Sequence, residues 1–146
     1  MPAEFEPHAA TWLTWPRNPE TWPGRVEAMP AIWMEMVKAL APNERVEILV
    51  QDDAEREAVL RRLRREGVES ARVGLHIVPP DDAWMRDHGP TFVRRERGGR
   101  RETMLVDWEY NAWGGKYPPW DLDNAVPEAI ARITGLKRVR PGRVLE

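Results

Sequence analysis

The ten residues "DDAWMRDHGP", positions 81–90, set three aspartates, an arginine, a histidine and a tryptophan side by side. An ionised carboxylate only accepts hydrogen bonds, and its two oxygens match the paired N–H edges of a guanidinium or amidine. The chemistry this stretch suits is the capture of a flat cation. A second dense stretch, "DWEYNAWGGKYPPWDLD" at 107–123, carries three Trp, two Tyr and a Gly–Gly pair. Paired glycines permit close backbone approach or positive φ, and Trp108, Trp113 and Trp120 can wall an apolar slot beside them. Plainer readings stand next to these. Asp87 can be neutralised by Arg86 or another arginine, with Asp81 and Asp82 forming only a turn. The second stretch can be a rigid loop over the core, with Asn111 capping and Lys116 in solvent.

The elements around the two stretches read as α/β. "TWLTW" at 11–15 is short and β-rich and stops at Pro16, before the proline-punctuated "PRNPETWPG". The spacing of Ile32, Met36, Val37 and Leu40 predicts a helix over 31–40, with Pro30 in its first turn and Pro42 just past its end. "RVEILV" alternates as a strand, and Asp52 followed by Glu55 makes a capping-box-like start for "DDAEREAVLRRLRREG". Val59, Leu60 and Leu63 form that helix's apolar stripe, and Gly67 sits where it should end. Arg61, Arg62, Arg64 and Arg65 read as a solvated face at the negative end of the helix dipole. "VGLHIVP" is a third strand. "PTFVRRE" and "ETMLVDWEY" make a hairpin across Gly98–Gly99, and "DNAVPEAIARITG" is a third helix. "VRPGRVLE" begins a last strand. The order places the aspartates of the first stretch at the strand-end edge of a sheet, where α/β sites usually lie.

Length and composition bound the function classes. A chain of 146 residues suffices for one domain, read here as 1–146 without an internal linker, and chains near this size bury about 68–70% of their extended surface. The 22 basic and 24 acidic residues leave a net charge of −2, so no whole-molecule field points to nucleic acid or an anionic membrane. No apolar run approaches the roughly 20 residues of a membrane span, and "MPAEFEPH" lacks the pattern of a secretion signal. The expected compartment is the cytoplasm. Cysteine is absent, which removes disulfides, thiolate metal ligands and a thiol nucleophile from this chain. Trp occurs 8 times against 2 Tyr and 2 Phe.

Taken in order and spacing, "EFEPHAATWLTWPRNPETWPG", "DDAWMRDHGP" and "DWEYNAWGGKYPPWDLDNAVP" resemble the N-terminal part of the agmatine deiminases, within the wider family of bacterial-type peptidylarginine deiminases. The resemblance spans nearly the whole chain. It implies an incomplete pentein-type α/β propeller, about two ββαβ modules of a fold in which such modules surround a funnel-shaped active site. It also implies hydrolysis of agmatine to N-carbamoylputrescine and ammonia, a step toward putrescine, without metal or organic cofactor. Asp87 matches the aspartate that clamps the guanidinium, and Glu146 matches the first residue of an "EGG" segment that supplies a second carboxylate. Trp84 and Trp113 lie in motifs that line the funnel, and Asp82 is a candidate for orienting the substrate's amine end.

This sequence departs from the family in lacking the nucleophilic cysteine and the histidine motif of the proton shuttle. His8, His76 and His88 read as structural or surface residues. The chain also ends on "VLE", which reads as cut. The expected partner is a small guanidinium compound, with homo-oligomerisation possible through open module edges. Three further readings stay open: action on arginine in peptides, a non-catalytic guanidinium-binding module, and a vestigial module.

Overall fold

The structure is a computed structural model that describes Ala3 and residues 5–145. Pro7–Met85 forms one compact unit, and the described residues after Met85, with those before Pro7, form a second.

The first unit is built on a parallel sheet in the order β1–β2–β3, from Ala10–Thr14, Arg45–Val50 and Val73–Ile77. Helix α1, Met29–Leu40, joins the first pair of strands and α2, Asp53–Arg65, the second. Stepping one strand at a time in one direction puts both crossover helices on one face. Met34 and Val37 of α1 and Val59 and Leu63 of α2 accordingly share a core with Val46, Ile48 and Val50. Helix α1 begins two residues before the predicted start, with Pro30 in its first turn. Its buried stripe is also turned from the predicted one. Met34 and Val37 face inward, while Ile32 is half exposed.

Helix α2 is closed at both ends. The Asp52 side chain accepts the Glu55 amide at 2.8 Å, and the Glu55 carboxylate accepts the Gln51 amide at 2.7 Å, one residue earlier than a capping box requires. At the far end the Val68 amide donates to the Leu63 carbonyl at 3.0 Å and the Gly67 amide to Arg64 at 3.2 Å. Gly67, at φ +72, supplies the left-handed residue this Schellman closure needs.

The helix-free face of that sheet carries a tightly keyed polar cluster. Trp12, Glu47 and Gly74 lie in cross-strand register. The Glu47 carboxylate bridges Arg45 Nε at 2.9 Å and His76 Nε2 at 2.8 Å. Trp12 stacks on the His76 ring with centroids 5.3 Å apart. Gly74 has no side chain because that space is taken: a Cβ there would sit 1.7 Å from Glu47 Oε2.

In the second unit β4, Thr91–Arg97, and β5, Arg100–Val106, form the predicted antiparallel hairpin. Gly98 and Gly99, at φ +58 and +73, make its two-residue turn. A one-turn helix α3, Met85–His88, precedes the hairpin, and helix α4, Asp121–Thr134, follows it. Val126, Ala129 and Ile130 of α4 are buried. The last strand differs from expectation. Strand β6 is Lys137–Val139, parallel to β5, and beyond it, among the described residues, an isolated bridge joins Val144 to Glu109. Pro141 has no amide to extend the ladder, and Gly142 turns away at φ +64.

Candidate functional site

The two dense stretches meet inside the second unit. His88, at the end of α3, is fully buried and sets its ring edge against Tyr110, with centroids 5.8 Å apart. Tyr110 meets Trp113 in the same way at 5.8 Å, and Trp113 meets Tyr117 at 5.8 Å. Edge-to-face pairs at such distances are favoured by the ring quadrupoles. His88 Nε2 also lies 3.8 Å from Asp123 Oδ1, in the first turn of α4. The 107–111 loop is fastened by main-chain bonds from Asp107 to Val139 and from Glu109 to Arg143, both 2.9 Å. Asn124 Oδ1 accepts the Tyr110 amide at 2.8 Å, and Trp108 donates to Thr91 Oγ1 at 3.0 Å.

Asp87, beside His88, is half-buried. Among the described residues its carboxylate enters no ion pair and takes no hydrogen bond. The arrangement in which an arginine neutralises Asp87 is therefore not the one found. A partly desolvated carboxylate with no partner among the described residues can accept paired hydrogen bonds from a planar cation.

Trp113 owes its placement to an unusual backbone. Ala112, Trp113, Gly114 and Gly115 all have positive φ, at 50, 56, 79 and 76. They form one left-handed turn, entered through Asn111, whose side chain accepts the Gly114 amide at 2.7 Å. The expected capping role of Asn111 is what is found, on a turn whose hand was not foreseen.

Asp107 is a buried carboxylate with one oxygen 3.2 Å from Arg138 and the other without a hydrogen-bond partner among the described residues. Burial pushes its carboxyl above the ordinary 3.8, against the pull of Arg138 and Arg140. Arg138 also binds Glu128 at 2.7 Å, and this bond holds the Glu128 carboxyl below its usual range. For Asp107 the folded state binds the proton more tightly than the unfolded chain. Its contribution is fully present below pH 3.8 and is lost as pH rises through the higher folded value. Asp107→Asn is thus expected to gain stability relative to the parent between mildly acidic and neutral pH. Urea midpoints at two pH values check this, and a gain that grows as pH falls would refute it.

Two of the sequence-predicted residues, Asp82 and Trp84, belong to the first unit. Asp82 takes the hydroxyl of Thr21, Asn18 Nδ2 at 3.4 Å and the Ala83 amide at 2.7 Å. Trp84, half exposed, packs on Trp22 at 5.9 Å, and Trp22 packs edge-on against Trp33. Trp33 Nε1 donates to the Thr14 carbonyl at 2.7 Å, which ties the cluster to β1. Glu146 lies outside the described residues. Sequence reasoning missed Thr21, Trp22, Tyr110 and Asp123. Of these only Asp123, in an acidic helix start, carried a local signal.

The family model for Porphyromonas-type peptidyl-arginine deiminase matches residues 1–146. The chain belongs to this deiminase family. Agmatine deiminases of Ectopseudomonas mendocina and Stutzerimonas stutzeri are 40% and 37% identical to it over 151 residues. Each alignment covers all of this chain and 39% of the relative. A solved structure described as the agmatine deiminase of Enterococcus faecalis catalyzing its reaction superposes with a TM-score of 0.76 at 32% identity, over 96% of this chain and 37% of that one. The chain thus spans about two fifths of the length of the deiminases it matches, and its fold is the corresponding part of the pentein-type α/β fold. Among the described residues no helix is long and apolar enough to cross a membrane.

Proposed function

We propose that this chain is the guanidinium-binding part of an agmatine deiminase, with Asp87 as the clamp on the substrate's planar cation. The observation that carries the reading is the carboxylate of Asp87, half-buried and without an ion pair or hydrogen bond among the described residues, in the segment that matches the family's clamp. A guanidinium carbon is a weak electrophile because its charge is delocalised, so carboxylates must hold it still and offset the cost of its burial while a nucleophile attacks.

In the complete reaction a cysteine thiolate adds to that carbon and ammonia leaves, giving an S-alkylthiouronium. Water then adds, with a histidine moving protons, and expels the thiolate to leave N-carbamoylputrescine. This chain has no cysteine to open that sequence, so its share of the work is binding and orientation. Trp84 and Trp113 supply apolar walls in this proposal, Glu146 a second carboxylate, and Asp82 orients the substrate's amine end. No metal or organic cofactor is invoked, the residues 1–146 form part of one domain, and the compartment is the cytoplasm.

Titration calorimetry on the 146-residue protein is the direct test. Agmatine at millimolar concentration is expected to bind, while putrescine, which keeps the amine but lacks the guanidinium, is expected to give no heat. Equal signals from both would remove Asp87's assigned role. A peptide with an internal arginine, run as a third ligand, separates the agmatine reading from action on peptidyl-arginine.

A further inference from the structure

We propose that Asn111 is a positioning residue whose task is to hold Trp113 in a left-handed backbone. The left-handed region costs about 1–2 kcal/mol for each residue that carries a Cβ, and Ala112 and Trp113 both do. Such a turn persists only where its surroundings over-determine it. Asn111 supplies much of that determination. Its Oδ1 accepts the Gly114 amide at 2.7 Å, and its main-chain carbonyl accepts the Gly115 amide at 2.6 Å. The turn closes with the Lys116 amide on the Ala112 carbonyl at 3.0 Å, and the Ala112 methyl is buried beneath it.

The glycines serve the backbone and not the packing. A Cβ at Gly114 would meet nothing within 4 Å, so what excludes a side chain there is φ +79 alone. What the strain achieves is placement. Trp113 meets the Tyr110 and Tyr117 rings, each 5.8 Å from it, and Tyr110 in turn meets buried His88. A right-handed turn through the same residues would send the indole to another side of the loop.

The role given to Trp113 in ligand binding rests on the reading of the chain as a guanidinium-binding part. The positioning itself does not, and the experiment separates the two. Near-UV circular dichroism of the 146-residue protein is recorded for the parent, Asn111→Ala, Asn111→Gln, Asn111→Asp and Gly114→Ala, each with its own Trp113→Phe counterpart, so that the difference spectrum isolates Trp113. Agmatine titrations accompany the spectra.

Asn111→Ala is expected to lose most of the Trp113 signal and to weaken agmatine about fivefold, the population lost when a turn gives up one capping bond. Asn111→Asp keeps the acceptor and is expected to restore both. Gly114→Ala, which strains the turn without touching Asn111, is expected to lose the Trp113 signal too and so gives the spectrum of a broken turn, while Asn111→Gln, which displaces the acceptor by one methylene, decides the matter if Asn111→Ala does not fold. A Trp113 signal that survives Asn111→Ala, or Asn111→Gln where the alanine variant does not fold, overturns the proposal, even if stability falls. Absence of agmatine binding in the parent counts against the binding role alone, since the spectra still report on placement.

Discussion

Asp87→Asn is expected to weaken agmatine binding by about a hundredfold, near 3 kcal/mol, while leaving the unfolding midpoint of the protein within about 0.5 kcal/mol of the parent. The two halves of this expectation come from one fact: the carboxylate is half-buried and engages nothing among the described residues. A carboxylate with no native partner has little stability to lose. A guanidinium deprived of its charged acceptor loses charge-assisted bonds that an amide, with one donor end, cannot replace. Calorimetry with agmatine and a urea melt on the same samples check both parts. A large drop in stability with unchanged affinity would move Asp87 from binding to architecture.

The second large effect is expected at Gly74. In an ordinary strand, alanine is no worse than glycine, and often better. Here the added Cβ would fall 1.7 Å from Glu47 Oε2, in space shared with the His76 ring. The Glu47 carboxylate must swing away, breaking its 2.8 Å contact with His76 and disturbing the stack on Trp12. Gly74→Ala is therefore expected to destabilise the first unit by about 3 kcal/mol. Adding Glu47→Ala should recover part of that loss, because the clash disappears with the carboxylate. Urea midpoints of the two single variants and the double variant measure the coupling, and strict additivity would show that the clash is relieved some other way.

The secondary structure was largely legible because most of its signals are local. Asp52, Glu55 and Gly67 mark both ends of α2 within a few residues of chain, and Gly98–Gly99 marks the hairpin turn. The phase of α1 was misjudged because Met34 and Ile32 are both apolar, and only the sheet beneath decides which of them faces inward. The last strand was set too late because the pairing of Lys137–Val139 with Met104–Val106 depends on a partner far back in the chain.

At the site, the residue types were legible and their partners were not. Asp87 could be named from its neighbours. That it stays clear of Arg86 and every other described cation depends on side-chain directions no local pattern encodes. The pairing of His88 with Tyr110 and the approach of Asp123 are likewise long-range. The left-handed hand of the 112–115 turn was half visible. Two consecutive glycines announce positive φ, but nothing marks Ala112 and Trp113 as sharing it.

The contrast between the two sheets governs how fast each can assemble. Strands β4 and β5 are joined by two glycines, so their ribbon can zip from the turn outward in about 1–10 μs. The parallel ladder pairs Thr11 with Val46 and Val46 with Val73, so each pairing must first close a segment containing a whole helix, at an entropic cost that local contacts do not bear. The hairpin is thus the early event in the chain's collapse, and the sheet that carries Gly74 is the slow one.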